Sequence, residues 1–174
     1  MNSKEFQYWV AYLLDLMLDL KNAENLFNNK DDNFSRRTYI RTLFATIDGT
    51  LYLLKQIVLI ETLDKPNVLQ ESDNHFLKKT NIGQKENFKS TIGIVEKTFD
   101  IQLDIETHKH NEEWRDFLTA INIRNTVTHP KRKEEFVITD DNIQLIIRVS
   151  KWYIYLICRA LDAIDLVKKI SKNI

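Results

Sequence analysis

The residues of this sequence best suited to chemistry lie in one short segment, which reads Arg124-Asn125-Thr126-Val127-Thr128-His129. An arginine carries a permanent positive charge that can stabilise a phosphate or an oxyanion. A histidine titrates near neutral pH and can take up or release a proton. Such a pair suits the cleavage of phosphodiester bonds. Spacing alone favours a plainer interpretation, in which the histidine caps a helix and the arginine is a solvated surface charge.

This segment lies at the end of a predicted helix. Asn111 is a good N-cap, and Glu112 and Glu113 follow it in the first turn, where carboxylates are stabilised by the helix dipole. Pro130 ends the helix, because the residue before a proline is pushed away from helical dihedral angles. A histidine at such a C-terminus is also suitably placed to act as a cap.

An apolar stripe on the same helix is expected to become polar near its end. At about 100° per residue, four apolar side chains fall on one side. They are Trp114, Phe117, Leu118 and Ile121. The stripe is expected to continue to Asn125 and Thr128, with Arg124 on one margin and His129 on the other. Since Asn125 and His129 are four residues apart, their side chains are expected to meet.

The composition predicts an all-α fold that forms one domain over residues 1–174. Three glycines and two prolines in 174 residues are too few for the many turns of a sheet-rich protein. We therefore expect an antiparallel bundle of four main helices plus a shorter one. The periodicity places these five helices at 4–27, 35–63, 84–99, 111–129 and 139–170, the last capped by Thr139. The region 64–83 is expected to be a connector with room for one further short helix. Gly49, inside the second helix, is expected to let another helix pack closely.

Charge and cysteine content limit the partners and the compartment. The 25 basic and 25 acidic residues cancel, so no global field would draw the protein to nucleic acid or to an anionic membrane. The single cysteine, Cys158, cannot form an intramolecular disulfide, which suits a reducing cytoplasm. The N-terminus lacks a signal-peptide pattern, and charges such as Lys55 interrupt the apolar runs. We expect a soluble, cytoplasmic protein that makes no membrane contact.

The segment from Arg124 to His129 resembles the Arg-x4-6-His signature of the HEPN superfamily, in which the arginine is commonly followed by a polar residue, here Asn125. Members of that superfamily are bundles of four to five helices, with the signature late in the chain and one long helix after it. The same order is predicted here. The residues Trp114 to Phe117, leading into Ile123, also resemble the usual approach to the signature. The arrangement covers nearly all of the chain, whereas the specific motif covers only its short core.

The resemblance implies a metal-independent endoribonuclease that needs no cofactor. His129 would be the general acid and base, and Arg124 would stabilise charge on the phosphate. Asn125 would orient His129 or bind a phosphate oxygen. The expected products carry a 2′,3′-cyclic phosphate and a 5′-hydroxyl. Two copies would form a homodimer with a composite site, so that Arg124 of one chain serves His129 of the other.

Further expectations concern the RNA and the biological role. Lys131 and Arg132, in a basic run that is more often a solvated loop, and Thr128 are expected to contact the RNA substrate. The resemblance suggests a toxin or abortive-infection effector with an antitoxin or regulatory partner. Two alternatives stay open: a non-catalytic dimeric module that binds RNA, a nucleotide or a protein, and an unrelated helical adaptor. His108 and His110 lack a further ligand at suitable spacing, so no zinc site is expected.

Overall fold

The computed structural model describes residues 3–63, 68–103 and 111–171, with their side chains except those of residues 3–7, 10 and 165–171. Within these ranges the chain is all-α, with no strand. The six α-helices are α1 (Ser3–Asn29), α2 (Asn33–Thr62), α3 (Glu71–Lys78), α4 (Gln84–Phe99), α5 (Glu112–Thr128) and α6 (Asp140–Ser171). A short 3₁₀ helix, Lys133–Phe136, lies between α5 and α6.

The predicted helices are confirmed, with small shifts at their ends. The short α3 falls in the region where one short helix was expected, and α5 stops just before the His129–Pro130 pair. Thr139 caps α6 as predicted, since its hydroxyl accepts a hydrogen bond from the Asn142 amide at 3.3 Å. The predicted connector 100–110 is described only to residue 103, so the prediction for 104–110, with His108 and His110, lies outside the described residues.

The start of α2 lies earlier than predicted because Asp32 caps it. The Asp32 carboxylate accepts from the Ser35 amide at 2.9 Å, and the Ser35 hydroxyl accepts from the Asp32 amide at 3.1 Å. This reciprocal capping box satisfies backbone donors that a helix start leaves free. The cap fixes the direction in which α2 leaves the α1–α2 turn.

The helices α1 and α2 form an antiparallel pair. Phe27, near the end of α1, stacks on Tyr39 near the start of α2, with ring centroids 5.9 Å apart. At the opposite end, Trp9 meets Tyr52 edge-on at 6.0 Å. Contacts between the end of one helix and the start of the other require opposite directions.

Gly49 marks the closest approach of this pair. A Cβ at that position would lie 2.7 Å from Leu16 Cδ1 and 2.9 Å from the Tyr12 hydroxyl, both on α1. Such distances are shorter than van der Waals contact, so the missing side chain is what lets α1 pack closely here. The expectation that Gly49 admits a neighbouring helix is confirmed.

The helix α2 is the centre of the fold and contacts α1, α4, α5 and α6. By length and composition it is apolar enough to cross a membrane, but most of its apolar stretch is buried inside the protein. The rest of the core contains an aromatic cluster in which Phe88 of α4 meets Phe117 of α5 at 4.6 Å and Trp152 of α6 at 5.6 Å. These contacts hold α5, which carries the segment from Arg124 to His129, against α4 and α6.

Candidate functional site

The buried face of α5 consists of different residues from those predicted. The side chains of Trp114, Phe117, Ala120 and Val127 are buried. Arg124 lies among them and is half-buried, whereas Asn125 and Thr128 are exposed. The predicted continuation of the stripe to Asn125 and Thr128 is therefore wrong. Positions 114, 117, 120, 124 and 127 are three or four residues apart, and this spacing keeps them on one side of a helix with 3.6 residues per turn. That side of α5 therefore ends in Arg124 and Val127.

Two neighbours hold the Arg124 guanidinium. Its Nη1 donates to Asn125 Oδ1 at 3.1 Å, and its Nη2 lies 4.0 Å from Asp48 Oδ2 on α2. The Arg124 side chain is 30% exposed, so part of the guanidinium stays open to a ligand. Asn125 thus contacts Arg124 through its side chain.

Asp48 is the carboxylate that faces this arginine. It accepts a hydrogen bond from Gln84 Nε2 of α4 at 3.2 Å. Burial raises the pKa of Asp48, and the hydrogen bond from Gln84 and the charge of Arg124 lower it by less. Asp48 therefore ionises less readily than a solvated aspartate.

His129 ends α5 and is exposed to solvent. Its backbone N–H donates to the Asn125 carbonyl at 2.9 Å, whereas the Asn125 side chain, which was expected to meet the imidazole, binds Arg124. Across the described residues, no hydrogen bond or ion pair engages the imidazole. The His129 ring is therefore accessible and is not covered by the segment that follows it.

Arg41 of α2 caps the C-terminus of α5. Its Nη2 donates to the Val127 carbonyl at 2.9 Å, one of the carbonyls that a helix end leaves without an intrahelical partner. Since Val127 is two residues before His129, this contact places a second guanidinium beside the end of the motif helix.

Two further arginines of α2 hold the segment that follows the motif. Arg36 Nη1 donates to the Ile138 carbonyl at 2.7 Å, and Arg37 Nη1 donates to the Phe136 carbonyl at 2.9 Å. Arg36 also pairs with Asp140 at 2.7 Å. Together with Arg41, these residues form what we call the arginine row of α2, and it fixes the chain between α5 and α6.

The residues expected to contact RNA all lie on the surface next to the motif. Lys131 and Arg132 are exposed, and the Lys131 amide donates to Glu135 Oε2 at 2.6 Å. The Thr128 hydroxyl donates to the Arg124 carbonyl at 2.8 Å, so its proton is used within α5. The structure thus leaves the two cations available and engages the threonine.

Sequence reasoning missed the contribution of α2 to this site. Arg41 and Asp48 are seven residues apart, which places them on one side of a helix, and both are charged within a largely apolar stretch. That spacing could have indicated a polar side of α2. It does not show that α5 packs against that side. Arg148, a surface cation of α6, pairs with Asp116 of α5 at 2.8 Å.

Among the described residues, no three His, Cys, Asp or Glu side chains group so that they could hold a metal ion. No family model matches this chain, and no significant match was found among curated proteins or among solved structures. Its function must therefore be inferred from its own residues.

Proposed function

We propose that this protein is a metal-independent endoribonuclease with a HEPN-type bundle, in which His129 and Arg124 carry the reaction. One observation supports this most. The accessible imidazole of His129 ends the same helix on which Arg124 is held in place by Asn125 and Asp48. The two residues are five apart, so they lie about 7.5 Å apart along the axis and about 140° apart around it, a separation that a second copy of the chain would bridge.

The proposed reaction is an internal transfer at phosphorus. His129 removes the proton from the ribose 2′-hydroxyl, and the 2′-oxygen forms a bond to phosphorus. The bond from phosphorus to the 5′-oxygen then breaks, and that oxygen takes up a proton from an imidazolium. Arg124 stabilises the additional negative charge on the phosphate oxygens. The products are a 2′,3′-cyclic phosphate and a 5′-hydroxyl, and no water is consumed.

The neighbouring residues take supporting roles in this proposal. Asn125 orients the Arg124 guanidinium through the 3.1 Å hydrogen bond, a role that differs from the expected one toward His129. Lys131 and Arg132 bind the RNA backbone on either side of the cut, because both are exposed cations next to His129. Thr128 contributes through its hydroxyl oxygen, which can still accept a hydrogen bond.

We further propose that two copies assemble into a homodimer with a composite site in the cytoplasm. Such an enzyme would damage its own cell unless restrained, which fits a toxin or abortive-infection effector held by an antitoxin. Expression of the wild-type chain alone should then slow bacterial growth, and His129→Ala should relieve that effect.

The decisive experiment is cleavage of a mixed-sequence RNA by the purified protein in the presence of EDTA. We expect wild type to cut and to leave cyclic phosphate ends. His129→Ala and Arg124→Ala should each lower the rate by roughly 10²- to 10⁴-fold, the range of general acid–base catalysis. Arg148→Ala, which removes a surface arginine elsewhere, is the matched control and should keep full activity. Circular dichroism shows whether each variant is folded.

Two results would contradict the nuclease proposal. One is wild-type protein that cuts no RNA at any concentration tested. The other is a folded His129→Ala variant that cuts as fast as wild type, because the activity would then belong to a contaminant or to another site.

Mixing the two inactive variants tests the composite site. If His129 of one chain works with Arg124 of the other, a mixed dimer has one intact site of two. Since about half of the dimers are mixed, roughly a quarter of wild-type activity should return. A site built within one chain would recover none.

A non-catalytic dimeric module is the second candidate, and Asp48 is the observation that favours it. A carboxylate 4.0 Å from Arg124 reduces the net positive charge that a phosphate would meet. Such a module would bind RNA, a nucleotide or a protein partner without cutting. Retention of labelled RNA with no products in the assay above would select this candidate.

A further inference from the structure

A separate cleft lies between α2 and the α3–α4 region, and its lining residues come from α2, α3, α4 and the chain that joins α3 to α4. It has a volume of about 620 Å³, within the range of small-molecule sites. Its α2 wall contains Asp48, Tyr52 and Lys55, at spacings of four and three residues that place them on one side of the helix. We call it the Lys55 cleft.

Lys55 is unusual in this cleft because its side chain is nearly buried yet has no ionic partner. The residue is only 6% exposed, and its Nζ lies 4.5 Å from the ring centroid of Phe76. Across the described part of the chain, no carboxylate or carbonyl binds the ammonium. A cation in that position is normally paired, and the aromatic face compensates only part of the lost hydration. Burial accordingly lowers the pKa of Lys55.

The charges around the cleft favour an anion. Lys78 and Lys79 line it together with Lys55, against the single carboxylate of Asp48. Asp48 is already engaged by Gln84 and faces Arg124, so its charge is directed partly away from the lysines. Neither Lys78 nor Lys79 has an ion-pair partner among the described residues.

The remaining walls are suited to a flat organic group. Leu59, Leu77 and Ile82 are apolar, and Tyr52 is 52% exposed at the edge of the cleft. An aromatic ring beside apolar side chains can stack on or cover a nucleobase. Asn87 adds one amide that can donate and accept hydrogen bonds.

We propose that the Lys55 cleft binds the phosphate end of a mononucleotide, with Lys55, Lys78 and Lys79 around the phosphate and Tyr52 beside the base. The site is distinct from His129 and does not depend on RNA cleavage. Because Asp48 borders both the cleft and Arg124, a bound nucleotide would lie next to the motif helix.

Isothermal titration calorimetry of the full chain with AMP, GMP, CMP and UMP tests the proposal. At least one mononucleotide should bind, and the matching nucleoside without phosphate should bind at least about tenfold more weakly, as expected from the loss of charged hydrogen bonds. Lys55→Met keeps the apolar stem but removes the charge and should weaken binding by a similar factor. Lys151→Ala, an exposed lysine of α6, is the control and should bind as wild type does.

Further variants and ligands separate mononucleotide binding from loss of folding and from RNA binding. If Lys55→Met fails to fold by circular dichroism, the double variant Lys78→Ala, Lys79→Ala decides, and wild-type affinity in that variant overturns the proposal. His129→Ala should bind the mononucleotide normally, so a failure of the nuclease assignment does not affect this result. Absence of binding by all four mononucleotides overturns the proposal. Binding of a 5′-phosphorylated RNA without binding of any mononucleotide also overturns it, because the cleft would then belong to an RNA strand.

Discussion

At the scale of single residues, Asp48 has two opposite effects on the proposed chemistry. It helps to hold Arg124, and it competes with a phosphate for the same guanidinium. The pair is half-exposed, so water screens it and the net attraction is small. An arginine held loosely by a carboxylate is positioned before the substrate arrives and can still exchange that partner for a phosphate.

Asp48→Asn should therefore strengthen RNA binding. Asparagine can still accept the hydrogen bond from Gln84, while the charge opposing the phosphate is lost. Measured by fluorescence anisotropy in the non-cutting His129→Ala background, the dissociation constant should fall about two- to fivefold, the range of exposed ion pairs. Gln84→Ala, which leaves the Asp48 charge in place, is the comparison. Weaker binding by Asp48→Asn would mean that the carboxylate chiefly orients Arg124.

The cap of α2 gives a prediction about pH. The hydrogen bond from the Ser35 amide, followed by that from Lys30, lowers the pKa of Asp32 to about 2. The folded protein thus binds this proton less tightly than the unfolded chain does. The stabilisation by Asp32 should be complete above about pH 4 and should disappear as the pH falls toward about 2.

Thermal melts of Asp32→Ala and wild type measure this effect. The Tm of the variant should be lower than that of wild type near neutral pH, and the gap should close toward about pH 2. Asp32→Asn keeps a capping oxygen that does not titrate, so its Tm should show less of this dependence. A gap that stays constant down to the acid limit would contradict the assignment.

At the scale of helices, the sequence predicted the positions of the helices, which depend on the spacing of nearby residues. Periodicity, Pro130 and Thr139 were enough to locate the helices, because caps and apolar stripes are set by residues within a few positions of each other. The hydrogen bond from Arg41 to Val127 joins residues 86 apart, and no local pattern contains it. The motif itself was found in the sequence, whereas its neighbours on α2 needed the packing of α5 against α2.

Two glycines inside helices allow a matched test of close packing. A Cβ at Gly93 of α4 would meet nothing within 4 Å, whereas one at Gly49 would overlap Leu16 and Tyr12. Gly93→Ala should raise the free energy of unfolding by about 1 kcal/mol through helix propensity. Gly49→Ala should gain less, because the ends of those two side chains must move. Urea denaturation gives the free energy of unfolding of both variants. Equal increases would show that Leu16 and Tyr12 move aside with no loss of stability.

At the scale of the whole molecule, the balance of 25 basic and 25 acidic residues makes the local surface decisive. Under the proposed function, the attraction to RNA comes from local groups of cations, first of all those near the end of α5. This differs from proteins whose net positive charge attracts a phosphate backbone over long range.

The salt dependence of RNA binding tests how many cations contact the phosphates. If Arg124, Lys131 and Arg132 each neutralise one phosphate, the logarithm of the association constant should fall with the logarithm of salt concentration with a slope of about −2. The measurement uses His129→Ala and a single-stranded RNA. Lys131→Ala should reduce the steepness by about 0.7, the contribution of one phosphate. A slope much steeper than about −4 would reveal a larger basic surface, such as one completed by a second copy.

The arginine row has a consequence for how this protein can change. Arg36 and Arg37 bind the segment after the motif, and Arg41 binds the end of the motif helix, in each case through a carbonyl oxygen that every amino acid supplies. The exposed side chains of Lys131 and Arg132 are therefore free to vary without loss of these contacts. Evolution or design can replace Lys131 and its neighbours, and so alter which ligands are preferred, while the protein retains the same attachment of the loop to its core.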